Sequence, residues 1–159
     1  MPLARILALD VGNRRIGIAL SDALNLTAHP LLTLHRGPLR ADLKSIARLI
    51  RKHEVATVLI GLPVHASGEA SAQSAKTEAF TAALREHLAA TLDAPPAILM
   101  LDERHTTTEA HALLDRTTRR TGPADRIARS RLIDQAAAAL LLEAHLRNQA
   151  PALLPDPDA

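Results

Sequence analysis

With 159 residues and 47% hydrophobic side chains, this chain can close one core, and the single Phe with no Trp or Tyr argues against reading nucleic acid by stacking bases on aromatic platforms. The absence of cysteine excludes disulfides, thiolate catalysis and cysteine-ligated zinc. Formal net charge is only +2, but the cations are mostly arginine, and Arg116, Arg119, Arg120, Arg126, Arg129 and Arg131 crowd one short segment. A solvated charged loop is the commoner meaning of such a run, and a phosphate-binding patch the more specific one.

In chain order, residues 4–11 read as a strand that is apolar on both faces, as suits a central position. Gly12-Asn13 is a good turn pair, and 15–21 reads as the antiparallel return strand. "AHPLLTLHR", 28–36, is a third strand, with Pro30 favouring its start or a sheet edge. Leu39, Leu43, Ile46, Ala47, Leu49 and Ile50 recur at helical spacing and predict a helix ending near His53. "ATVLIGLP", 56–63, is a β-branched run stopped by Gly61 and Pro63, and the small polar stretch "VHASGEASAQ" reads as a mobile loop. A helix is expected over 71–90, a buried strand over 95–101, and another helix from "HTTTEAHALLDR", where Thr106 and Glu109 have capping-box spacing. Gly122-Pro123 argues that 116–131 does not hold a single helix, whereas "RLIDQAAAALLLEAHL", 131–146, is a strong one. The Pro-rich tail is expected to be disordered.

This order, a meander followed by alternating strands and helices, predicts an α/β domain over residues 1–148. Its mixed five-stranded sheet would be antiparallel first, then parallel, and flanked by helices. No internal repeat is visible. "MPLARILALD" is too short an apolar stretch for a signal peptide, and no run approaches a bilayer span, so a cytoplasmic protein with no membrane attachment is expected.

Three places carry acids where packing alone would not choose them. Asp10 ends the first strand, Asp102 and Glu103 end the last, and Asp134 interrupts the apolar helix "LIDQAAAALLL". An ionised carboxylate buried without a partner costs several kcal/mol, so each needs a cation, a set of N–H donors or a metal. Each also has an ordinary structural account. Asp10 could accept N–H bonds from its own turn, Asp102 could pair with Arg104, and Asp134 could be a first-turn acid behind an N-cap at Ser130. Together they suggest more, since strand ends on one sheet edge converge and a covering helix can add its acid. Hard oxygen donors of this kind suit Mg2+ or Mn2+, and the eight histidines show no zinc-site spacing.

The segments "LALDVGNRRIGIALSD", "VLIGLPVHASGE", "LDERHTTTEA" and "LIDQAAAALLLEAHL", in that order from about Arg5 to Leu146, resemble the YqgF (RuvX) family. The resemblance implies an RNase H-like fold and a nuclease acting on structured nucleic acid, either ribosomal RNA precursors or Holliday junctions. It implies metal-binding and catalytic acids at Asp10, Asp102, Glu103 and Asp134, with Asp102 and Glu103 both kept as candidates. It also implies substrate contacts at Arg104, Thr106 and Thr107, to which the arginine-rich segment would add Arg119, Arg120 and Arg126. This chain departs from the usual pattern at His105, at His65, Ala66 and Ser67, and in having no acid at the end of the "VLIGLP" strand.

The reading is then a Mg2+- or Mn2+-dependent phosphodiesterase, working as a monomer or homodimer, that processes the 5′ end of the small-subunit ribosomal RNA precursor. Junction resolution is the alternative, together with a binding factor of the same fold that has lost catalysis. The Asp-x-Gly hairpin also opens the phosphate-binding domains of sugar kinases and actin-like ATPases, but those enzymes close two such domains around a nucleotide and need a far longer chain.

Overall fold

The computed structural model describes residues 4–63, 72–102 and 123–149, with side chains at all of these except 123–130 and 149. Five strands form one sheet: β1 Arg5–Val11, β2 Arg15–Ser21, β3 Ala28–His35, β4 Val55–Leu62 and β5 Ala97–Asp102. They lie in the order β3-β2-β1-β4-β5. The β1–β2 and β2–β3 pairs are antiparallel and the β1–β4 and β4–β5 pairs parallel. This is the mixed sheet expected, and the strand limits agree with the hydrophobic pattern to within a residue or two. β1 takes the centre because both of its faces are apolar. Leu7, Leu9 and Val11 enter one core cluster, and Ile6 and Ala8 the other. β3, which carries Pro30, is an edge, where a missing N–H donor does least harm.

Helices α1 (Leu39–Lys52) and α2 (Ala72–Thr91) cover one face. In α1, Leu43, Ile46, Ala47 and Ile50 recur at i, i+3, i+4 and i+7 and are buried against the sheet. Asp42, in its first turn, is also buried, accepting from the Gly37 N–H at 3.0 Å and facing Arg36 at 3.5 Å. In α2, Phe80, Leu84 and Leu88 fill the same core. The buried Thr77 and Thr81 hydroxyls donate to the carbonyls of Gln73 and Thr77 one turn back, which satisfies them inside the apolar layer.

The third described helix, α3 (Pro123–Gln149), covers the other face. Ala138, Ala139, Leu141 and Leu142 meet Ile6, Ala8, Ala19 and Leu59 there. Small residues on both surfaces let the helix approach closely, and each buried leucine contributes about 2 kcal/mol. Two expectations change at this helix. The helix expected over 131–146 begins earlier: residues 123–130 are its first turns, with Pro123 at the first position, where its missing N–H costs nothing. Ser130 is therefore not an N-cap, and Asp134 lies about three turns in, so the helix terminus does not account for that acid. The loop expected after β4, the helix expected from Thr106, residues 116–122 and the tail from Ala150 lie outside the described residues. No helix among the described residues is long and apolar enough to cross a membrane.

Candidate active site

Side-chain alternation fixes where the acids point. On β1 the even residues Ile6 and Ala8 pack towards α3, so Asp10 faces α3 as well. Asp10 pairs laterally with Gly17 of β2. A β-carbon built on Gly17 would stand 2.9 Å from Asp134 Cα, and nearer still to that residue's carbonyl carbon and oxygen. The backbone of α3 at Asp134 therefore rests directly on Gly17, one strand from Asp10, an interstrand step of about 5 Å. Thus the acid from the first strand and the acid from the last helix share one face and one end of the sheet. The glycine between them is what allows the helix in. The β1–β4 register, continued by one residue, sets buried Gly61 on the other side of Asp10, where the sequence showed no acid.

The Asp134 side chain is 22% exposed and reaches back towards the β1–β2 turn. There its Oδ2 accepts a hydrogen bond from Arg15 Nε at 2.8 Å. Arg15 is on the same face, two residues before Gly17, and pairs laterally with His35 on β3. Burial pushes the Asp134 carboxyl above its ordinary value, while the charges of Arg15 and His35 pull the other way without cancelling it. The cations already present therefore under-compensate this acid.

The turn that carries the strand ends is held from several sides. Arg36 Nη1 donates to Gly12 O at 2.9 Å, the Arg36 N–H donates to Arg14 O at 2.9 Å, and Gln73 Nε2 donates to Val11 O at 3.3 Å. The Arg36 guanidinium lies 5.2 Å from the centroid of the Phe80 ring, which anchors it. Thr33 of β3 ties down α3 around Asp134: its Oγ1 donates to Arg131 O at 2.8 Å and accepts from Gln135 Nε2 at 3.1 Å. Asp10 and Asp134 thus project from rigid elements, as a catalytic constellation requires.

Asp102 differs. Ile98 of β5 packs with the α1–α2 core and Leu101 with the α3 side, so Asp102 takes the α1–α2 face. It pairs with Leu62, two strands from β1. The structure thus brings Asp10 and Asp134 together and turns Asp102 away. Glu103, Arg104, Thr106, Thr107, Arg119 and Arg120 lie outside the described residues, and Arg126 is on α3 with its side chain undescribed. Among the described residues no group of three metal-ligating side chains forms. The residues that sequence reasoning missed are Arg15, His35 and Gly17. The Arg14-Arg15 pair after the turn was a visible signal for the first. Nothing in sequence marked Gly17 as the seat of a helix more than a hundred residues away.

The family comparison agrees with this topology. A model described as "RuvX: Holliday junction resolvase" matches residues 4–148. The chain belongs to the RuvX family. A relative in Halalkalibacterium halodurans, named "Putative pre-16S rRNA nuclease", is 40% identical over 147 residues, covering 91% of this chain and 97% of its own. One of the same name in Koribacter versatilis is 37% identical, covering 91% and 88%. The RuvX chain also shares its fold with the RuvC of T. thermophilus solved with a Holliday junction substrate, at a TM-score of 0.55 and 13% identity, covering 93% of this chain and 97% of that one. The Fowlpox virus resolvase, solved with junction DNA, has a TM-score of 0.55 at 12% identity, covering 92% and 99%. These neighbours are RNase H-like, as the resemblance implied.

Proposed function

We propose that this RuvX chain is a divalent-metal-dependent nuclease that hydrolyses phosphodiester bonds in structured nucleic acid, and that its substrate is the 5′ region of the pre-16S ribosomal RNA. The observation that carries the reading is the meeting of Asp10 and Asp134 on one face at one end of the sheet, with Asp134 under-compensated by its cations. Two hard carboxylates with a shortage of positive charge fit Mg2+ or Mn2+. Asp102 faces the other way, which leaves Glu103 as the acid of that pair to complete the donor set. An ion held there would lower the pKa of the attacking water and stabilise the leaving oxygen.

The protein's own groups then position the phosphate. Arg104, Thr106 and Thr107 would take the oxygens beside the scissile bond, and Arg119, Arg120 and Arg126 the flanking backbone. With no aromatic platform, selection rests on shape and charge, so affinity should fall steeply with salt. The relatives' printed name supports the ribosomal RNA substrate, and the family model's description supports junction DNA as the second reading.

The test is cleavage of a pre-16S 5′ fragment and of a four-way DNA junction side by side, with Mn2+, by the natural protein and by Asp10→Asn. RNA cleavage lost in the variant is the expected result. Junction cleavage alone would move the assignment to resolution, and undiminished activity in Asp10→Asn would remove this site from the reaction.

A further inference from the structure

Arg15 is a cation at the point where the nuclease reading needs a metal ion. It is 34% exposed, its Nε–H donates to Asp134 Oδ2 at 2.8 Å, and it stands on the α3-facing side of β2, the side to which Asp10 also points. Resting on that reading, we propose that Arg15 holds Asp134 while the site is empty of divalent ion. When ion and nucleic acid are bound, it passes to a backbone phosphate.

Three observations support this. First, the ion pair is partly exposed, and its bond runs through Nε, one of the five N–H donors of a guanidinium. A part-exposed pair of this kind is weak, so it holds the carboxylate loosely enough to be displaced. Second, the Asp134 side chain is itself 22% exposed and its helix rests on Gly17, one strand from Asp10 on the same face, so an entering ion can reach both acids. Third, cations stand beside Arg15 in the chain and in the sheet: Arg14 precedes it, and His35 is its lateral partner on β3. A guanidinium in basic surroundings beside an ion site is suited to a phosphate oxygen. The exchange would also couple the two ligands, since phosphate that draws Arg15 away leaves Asp134 to the ion, and the coupling must be reciprocal.

The test uses Arg15→Gln and Arg15→Lys in the full chain, with thermal melts to confirm folding. In titrations of Mn2+ without nucleic acid, Arg15→Gln should bind the ion about twofold to fivefold more tightly than the natural protein, the range that loss of a part-exposed ion pair allows. Arg15→Lys, which keeps the charge without the planar fork, should fall between. In binding of a structured RNA with Ca2+ present, the salt slope of Arg15→Gln should be smaller by about one. In EDTA, where Arg15 stays on Asp134, the slopes should match.

Equal or weaker Mn2+ binding by Arg15→Gln overturns the proposal, as does a slope change of the same size with and without divalent ion, which would mark an ordinary basic surface residue. If Arg15→Gln does not fold, the Lys variant carries the Mn2+ comparison. Natural protein that binds neither Mn2+ nor RNA would sink the nuclease reading itself, whereas natural protein that binds both, with variants that behave like it, sinks the role of Arg15 alone.

Discussion

Replacing Gly17 with alanine adds one methyl group at the seat of α3, and the geometry makes its cost unusually definite. The new β-carbon would lie 2.9 Å from Asp134 Cα and closer to the carbonyl group, where ordinary contact begins at 3.4 Å. All three atoms are backbone, so no rotamer change relieves the clash, and the helix must recede by roughly 1 Å in a close-packed interior. That opens the seam between Ala138, Ala139, Leu141, Leu142 and the sheet. The expected loss is about 3 kcal/mol, the upper part of the overpacking range, or roughly 10 °C in Tm for a chain of this size. Asp134 recedes with its helix, and a displacement of about 1 Å in a reacting constellation can cost on the order of a hundredfold in rate. Urea denaturation and Mn2+-dependent cleavage measure the two effects, with Gly37→Ala as control, since a β-carbon there meets nothing within 4 Å. A Gly17→Ala protein within about 0.5 kcal/mol of the natural one, and equally active, would refute the close approach on which the site depends.

Other outcomes follow from the same structure. Ser21 Oγ accepts the Ile6 N–H at 2.8 Å, beside the register shift between Arg5 and Ile6, and donates to Asn25 Oδ1 at 2.6 Å. Ser21→Ala strands a buried donor and should cost about 1–3 kcal/mol in urea denaturation; no change would mean the N–H finds another partner. Burial raises the Asp134 carboxyl, so the folded state binds more protons than the unfolded one as pH rises past 3.8, and the charged form costs stability at neutral pH. Asp134→Asn without divalent ions at pH 8 should therefore melt no lower than the natural protein, and a clear fall in Tm would show that the Arg15 pair dominates. Burial lowers the His145 imidazole, so its contribution is complete above about pH 6.5 and is lost as pH falls through the folded value. His145→Gln should flatten the acid side of the stability profile by at most about 1.4 kcal/mol per pH unit, and an unchanged profile would assign that slope to other groups.

The strands and the first two described helices were legible because their patterns are local. β1 shows apolar residues on both faces, β2 follows a glycine-containing turn, and α1 repeats its buried positions at helical spacing. The start of α3 was misread because Gly122-Pro123 signals a break without saying on which side the helix lies. Pro123 is accommodated as a first helical residue, and the chain runs on through Ser130 to Asp134. The candidate acids were legible as misplaced charges, but their partnership was not. The Asp102-Glu103 pair shows why: neighbouring strand residues face opposite ways, and only the packing of Ile98 and Leu101 on opposite layers assigns Asp102 to the α1–α2 face.

The sequence by itself determined a mixed sheet with a central β1, an acid at the end of that strand, and another acid in an apolar helix, because hydrophobic period and charge are properties of short segments. Only the tertiary structure decided that Gly17 admits the helix, that Asp134 lies one strand from Asp10, and that Arg15 holds it. Those facts depend on which surfaces meet across more than a hundred residues of chain, and that is set by the packing of α3 on the sheet, which no local pattern encodes.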